Sequence, residues 1–156
     1  MTRIFIHGLE SSPEGTKGVF FRARYPDVIL PTFTGDLKKR MTRLNEILAG
    51  ASGIRMIGSS FGGLMGALYA MSNEAAVKRL VLLAPAIHVI DAAPQAVRPI
   101  SVPVTVYHGS RDEVIPIDPV KAAAKRYFLE LDFHTVADDH FLHRTFKTID
   151  WETLLA

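Results

Sequence analysis

The run Ile57-Gly58-Ser59-Ser60-Phe61-Gly62-Gly63 decides how the chain reads. It contains Gly-x-Ser-x-Gly, preceded by the apolar run Ile54–Gly58 and followed by a helical run, Gly62–Ser72. A serine at the centre of that pattern sits on a sharp strand-to-helix turn, with a strained backbone and an exposed hydroxyl. Side chains two positions to either side would strike the neighbouring strand and helix, so Gly58 and Gly62 stand where no Cβ fits. The helix N-terminus behind Ser60 adds partial positive charge that favours an oxyanion. A phosphate-cradling loop is the competing reading, but it wants a lysine after its glycines and none follows. Ser60 is the candidate nucleophile, and Ser59, one residue back toward the strand, is in the wrong register.

Outward from this turn, six short apolar runs read as strands: Arg3–His7, Asp27–Pro31, Ile54–Gly58, Leu80–Ala84, Val102–His108 and Leu131–Val136. Most are near-continuous rather than alternating, the pattern of strands buried on both faces of a parallel sheet. Helical signals lie between them over Thr16–Arg24, Asp36–Ala49, Gly62–Ser72 and Asp118 to about Glu130, with Asp118 as cap and Pro119 at the first helical position. A last helix is expected from Phe141 or His143 to Leu155. Strand and helix alternate throughout, which predicts one doubly wound α/β domain over residues 1–156. Ligands in such sheets bind beyond the carboxyl ends of the strands. The exception is the irregular, proline-broken interval Pro85–Pro103.

The charge balance is close, 18 Lys+Arg against 16 Asp+Glu, which gives no basic surface for nucleic acid. The densest basic run, Lys38-Lys39-Arg40 with Arg43, reads as the solvated face of a helix whose apolar stripe is Leu37, Met41, Leu44, Ile47 and Leu48. The absence of cysteine removes disulfides, thiolate catalysis and thiolate-bound metals. No apolar run approaches the ~20 residues that span a bilayer, and the start is too short in apolar residues for a secretion signal. A cytoplasmic protein is the resulting expectation.

A serine hydroxyl needs a base to take its proton and an acid to orient the base. In this architecture the order along the chain is serine, acid, histidine. Asp112 follows the fifth predicted strand in His108-Gly109-Ser110-Arg111-Asp112-Glu113, and His140 follows the last in Ala137-Asp138-Asp139-His140. Glu113 and His143 are their local rivals. For the oxyanion, the N–H of Phe61 and that of Leu9, in the loop His7-Gly8-Leu9, are the candidate donors. His7 and His108 end strands, where they line the site or bond to backbone. A metal site from His7, His108, His140 and Asp138 or Asp139 lacks a recognisable ligand spacing, so no metal is expected.

Taken together, His7-Gly8, Gly58–Gly62, Gly109–Asp112 and His140 resemble an α/β-hydrolase over essentially the whole chain. His-Gly-x-x-Ser-Ser-Pro-x-x-x-Lys at His7–Lys17, Gly-Ser-Ser-x-Gly-Gly at Gly58–Gly63 and Asp-Glu-Val at Asp112–Val114 are similar to the small, lidless YqiA-like bacterial esterases. The resemblance implies hydrolysis of a carboxylic ester through an acyl-enzyme by Ser60, Asp112 and His140, without a cofactor. Asp138-Asp139 departs from the family's glycines before the histidine. The chain also lacks the antiparallel strands that often begin the fold, and a trimmed six-stranded sheet in the order 2-1-3-4-5-6 is expected. The expected partner is a small acyl ester, neither nucleic acid nor membrane, with Phe33, Ile87 and Phe141 walling its acyl group. A peptidase or amidase using the same three residues, and a non-catalytic binding module on the same fold, remain open alternatives.

Overall fold

In the computed structural model, which describes residues 1–156, five parallel strands form one sheet in chain order. They are β1 (Thr2–Ile6), β2 (Ile54–Ser59), β3 (Val77–Leu83), β4 (Ile100–Gly109) and β5 (Phe128–Val136). Helices α1 (Thr16–Arg24), α2 (Leu37–Ile47), α3 (Phe61–Ser72), α4 (Ile117–Tyr127) and the single turn α5 (Trp151–Leu154) make the connections, with 3₁₀ turns at Glu74–Ala76, Ile87–Ala92 and Phe146–Thr148.

Near-continuous apolar strands are what a doubly covered sheet requires, and alternate residues enter different cores. Ile4, Ile6, Met56, Leu80 and Leu82 join the larger cluster, built with α2, α3 and α4. Phe5, Ile57, Val81 and Leu83 join the smaller one, which holds Phe21 of α1, Phe146, Trp151 and Leu155. Helix α3 lies against the strands β2, β3 and β1 and buries ten of its twelve residues, so it is apolar all round rather than amphipathic.

The sheet has five strands, not six. The segment expected as the second strand, Asp27–Pro31, lies beside β1 as anticipated but makes a single parallel bridge, Ile4 to Ile29. Ile29 N–H donates to the Arg3 carbonyl and Phe5 N–H to the Ile29 carbonyl. The next rung of a parallel ladder would need the N–H of residue 31, which is proline, so the ladder stops.

Other boundaries differ, among them the following. Helix α4 begins at Ile117 with Pro116 as its cap, so Asp118 and Pro119 fall in the first turn, where N–H groups have no intrahelical partner and proline is tolerated. Strand β5 opens at Phe128, because Phe128 already pairs with Ile100. The expected long C-terminal helix is broken: Ile149 is extended at φ −67°, ψ 137°, and Asp150 caps a new short turn through the Thr153 N–H.

Arg40 also departs from expectation. It is only 4% exposed and belongs to the buried side of α2, not its solvated face.

Candidate active site

Ser60 joins β2 to α3 at φ 55°, ψ −116°, a conformation that L-residues avoid. Its N–H donates to the Leu83 carbonyl and its own carbonyl accepts from Ala86 N–H, both at 2.9 Å, which ties the turn to the end of β3. A Cβ on Gly58 would collide with the Gly62 carbonyl, and one on Gly62 with the carbonyls of Ile6 and His7. The turn is thus possible only with glycine at both places.

Asp112 follows β4 by three residues and its side chain is fully buried. One carboxylate oxygen, Oδ1, accepts from the N–H groups of Val114 (2.8 Å) and Ile115 (2.7 Å). The other faces His140 Nδ1 at 2.7 Å and His108 Nε2 at 3.3 Å. His140 presents its second nitrogen, Nε2, to Ser60 Oγ at 3.2 Å. A carboxylate only accepts, so Nδ1 of His140 carries the hydrogen and Nε2 is free to accept from the serine hydroxyl. The sequence-predicted Ser60, Asp112 and His140 are therefore joined by hydrogen bonds in that relay. Ser59 lines the same cleft without joining it.

The two aspartates before His140 have other work. Asp138 is buried and its carboxylate accepts from the N–H groups of Asp139, Arg144 and Thr145. Burial alone would raise its pKa, but the bonds from Thr145, Asp139 and Arg144 outweigh it and hold the group below the usual 3.8. Asp139 pairs with His143 Nδ1 at 2.6 Å and accepts from Phe141 N–H. Both carboxylates fold the loop and neither bonds to His140. Lys17 closes the loop from the other side by donating to the Phe141 carbonyl at 2.9 Å, and burial pushes its ammonium pKa down.

The loop after β1 packs onto Ser60: a Cβ on Gly8 would lie 3.4 Å from Ser60 Cβ. The buried His7, just past β1, shapes that loop. His7 Nε2 accepts from Phe33 N–H at 2.9 Å, so Nδ1 carries the hydrogen and donates to the Gly8 carbonyl at 2.7 Å. The Gly8–Leu9 peptide is trans, so fixing its carbonyl on His7 aims its N–H, that of Leu9, the opposite way. Burial, with the nearby Arg40 charge adding to it, holds His7 below its ordinary pKa of 6.5 and so keeps it neutral in this role. Leu9 N–H has no acceptor within the protein, and Phe61 N–H is the first of helix α3, where no intrahelical acceptor exists. His108, wholly buried, donates from Nε2 to the Ile115 carbonyl at 2.9 Å and leaves Nδ1 without a partner; burial holds it neutral too.

A cleft of about 720 Å³ opens over Ser60 and His140. Phe61 and the exposed Leu9, Val114 and Phe141 give it an apolar rim, and Lys17 and Lys147 stand on the α1 side. Phe33 and Ile87, expected to wall an acyl group, do not reach it. Both are buried in the larger core, Phe33 under the His7 ring and Ile87 on the 3₁₀ turn. Of the three expected walls, Phe141 alone lines the cleft.

No protein-family model matches the chain, and no curated protein matches it. Solved structures do. A protein from Xanthomonas campestris pv. campestris assigned to the α/β hydrolase superfamily is 24% identical, with a TM-score of 0.75 and 99% of each chain covered. Est1E from Butyrivibrio proteoclasticus with ferulic acid bound is 20% identical at a TM-score of 0.74, over 98% of this chain and 86% of that one. The esterase EaEST from Exiguobacterium antarcticum is 13% identical at 0.75, over 99% and 90%. The chain has the α/β-hydrolase fold.

Proposed function

We propose that the chain is a serine hydrolase that cleaves a small carboxylic ester or thioester through an acyl-enzyme. The observation that carries this reading is the hydrogen-bonded relay from Ser60 through His140 to the buried Asp112, at the floor of an open cleft. In acylation the Ser60 Oγ–carbon bond forms while the carbonyl π pair moves onto oxygen, and the serine proton passes to His140 Nε2. Leu9 and Phe61 N–H groups receive the oxyanion. The carbonyl then reforms, the bond to the leaving oxygen or sulfur breaks, and His140 returns the proton to that group. Water repeats the sequence to release the acid and regenerate Ser60. The apolar rim suits an acyl or aryl substituent, and a relative in fold, Est1E, holds an aromatic acid.

A fluorophosphonate probe should label the wild-type chain and not Ser60→Ala, while Ser59→Ala remains labelled. Turnover of an ester, thioester and amide panel should be lost in Ser60→Ala by several orders of magnitude. Hydrolysis surviving in Ser60→Ala sinks the reading. Amide turnover exceeding ester turnover transfers it to a peptidase or amidase.

A further inference from the structure

We infer that Arg40 is a positioning residue of the oxyanion site, acting on Leu9 and Phe61 through contact and on the developing oxyanion through its charge. The inference rests on the ester-hydrolysis reading above. Arg40 projects from α2, is 4% exposed, and has no carboxylate within ion-pair distance. Its Nε donates to the Gly35 carbonyl at 2.8 Å and its Nη2 to the Leu9 carbonyl at 3.3 Å. Its guanidinium carbon lies 5.5 Å from the Phe61 ring centre, and Nη1 is buried without any partner.

Its donors reach only neutral carbonyls, one of its nitrogens reaches nothing, and no carboxylate offsets its charge. A lone buried cation is costly, and an apolar side chain of similar length would serve the core better. What it touches explains its presence. Besides Gly35, it reaches Leu9 and Phe61, which both line the cleft over Ser60 and are the two proposed oxyanion donors. With His7 holding the Gly8 carbonyl and Arg40 the Leu9 carbonyl, the peptides on both sides of Leu9, the first of which offers its N–H, are held in place. A fixed positive charge with no counterion, in a medium of low dielectric, interacts with an anion formed nearby far more strongly than it would in water. It has no such effect on a neutral ester. The consequence is differential: the tetrahedral anion gains and the bound substrate does not.

The experiment compares Arg40→Met, apolar and of similar reach, and Arg40→Gln, neutral but able to bond one carbonyl, with wild type on p-nitrophenyl butyrate. Affinity for phenylboronic acid, which forms an anionic tetrahedral adduct on an active-site serine, is measured alongside. Both variants should lose kcat by about tenfold or more, less than the 10²–10³ of a deleted oxyanion donor, with KM changed less than about twofold. Boronate affinity should weaken in parallel with kcat. If Arg40→Met does not fold, Arg40→Gln carries the test. Wild-type kcat and boronate affinity in a folded variant overturn the inference, as does a loss confined to KM, which would mark a purely structural residue. Ser60→Ala run in parallel separates the two readings: an active Ser60→Ala removes the esterase reading itself, whereas an inactive Ser60→Ala beside a fully active Arg40→Gln removes only this one.

Discussion

Among single residues, Asp112 carries the sharpest constraint because its two oxygens have different duties. Oδ1 is committed to two backbone N–H groups, so an asparagine there must keep its oxygen on that side and turn its NH₂ toward His140 and His108. Two N–H groups then face each other across 2.7 Å unless His140 moves its hydrogen to Nε2, where it can no longer accept from Ser60. Asp112→Asn should therefore fold normally and lose about 10⁴ in kcat, the scale of the equivalent tautomer trap in other triads. Normal far- and near-ultraviolet circular dichroism with residual activity above about a tenth would refute it. That Ser60, Asp112 and His140 come within hydrogen-bond reach was legible because each lies just past a strand end on one edge of the sheet. His7, His108 and Arg40 were not. That the first two bond to backbone was anticipated, but their partners, the Gly8 carbonyl and Phe33 N–H for His7 and the Ile115 carbonyl for His108, could not be read from the sequence. Arg40 did leave a signal: it stands three residues after Leu37 and four before Leu44, on the apolar stripe of α2, but its charge and basic neighbours argued for water.

At the scale of elements, strands buried on both faces announce themselves by continuous apolar runs, and all five observed strands fall within three residues of the reading. Termini were harder, because they depend on what a neighbour offers. Phe128 became strand because Ile100 was there to pair with it, and Ile29 stayed a lone bridge because residue 31 lacks an N–H. The C-terminal pattern was apolar at helical spacing, yet the chain there is pinned by Asp138 and recapped by Asp150, side-chain bonds that spacing does not reveal. Caps are testable at this level. Asp36 accepts from Lys39 N–H at 2.9 Å at the start of α2. Asp36→Ala should cost about 1 kcal/mol in urea unfolding, with the m-value unchanged. A loss under a few tenths of that would mean the end of α2 is held by its packing instead.

For the whole molecule, pH and access are the two collective properties to argue. His7 and His108 are held below 6.5 by burial, and Asp138 below 3.8 by its bonds against the opposing effect of burial. In all three the unfolded chain binds protons more readily, so stability rises with pH wherever they titrate. It should be complete above about pH 6.5 as regards the histidines, fall as pH drops from there through their folded values, and fall again below about 3.8; chemical unfolding at several pH values would show a flat or opposite slope if the buried histidines were charged in the fold. Access follows from the connection between β3 and β4. That interval builds only the 3₁₀ turn Ile87–Ala92, and its Ile87 and Ile90 pack down into the core. Of the apolar side chains lining the cleft around Ser60, those of Leu9, Val114 and Phe141 are largely exposed. Each added methylene of an acyl chain is worth about 0.8 kcal/mol, roughly fourfold, only while apolar surface is there to cover it. If the cover on this rim ends after a few carbons, the gain should end there too. Across p-nitrophenyl esters from acetate to palmitate, kcat/KM should thus peak early and then flatten or fall, with no jump at the critical micelle concentration. A rise continuing to palmitate would refute the expectation of a short apolar cover.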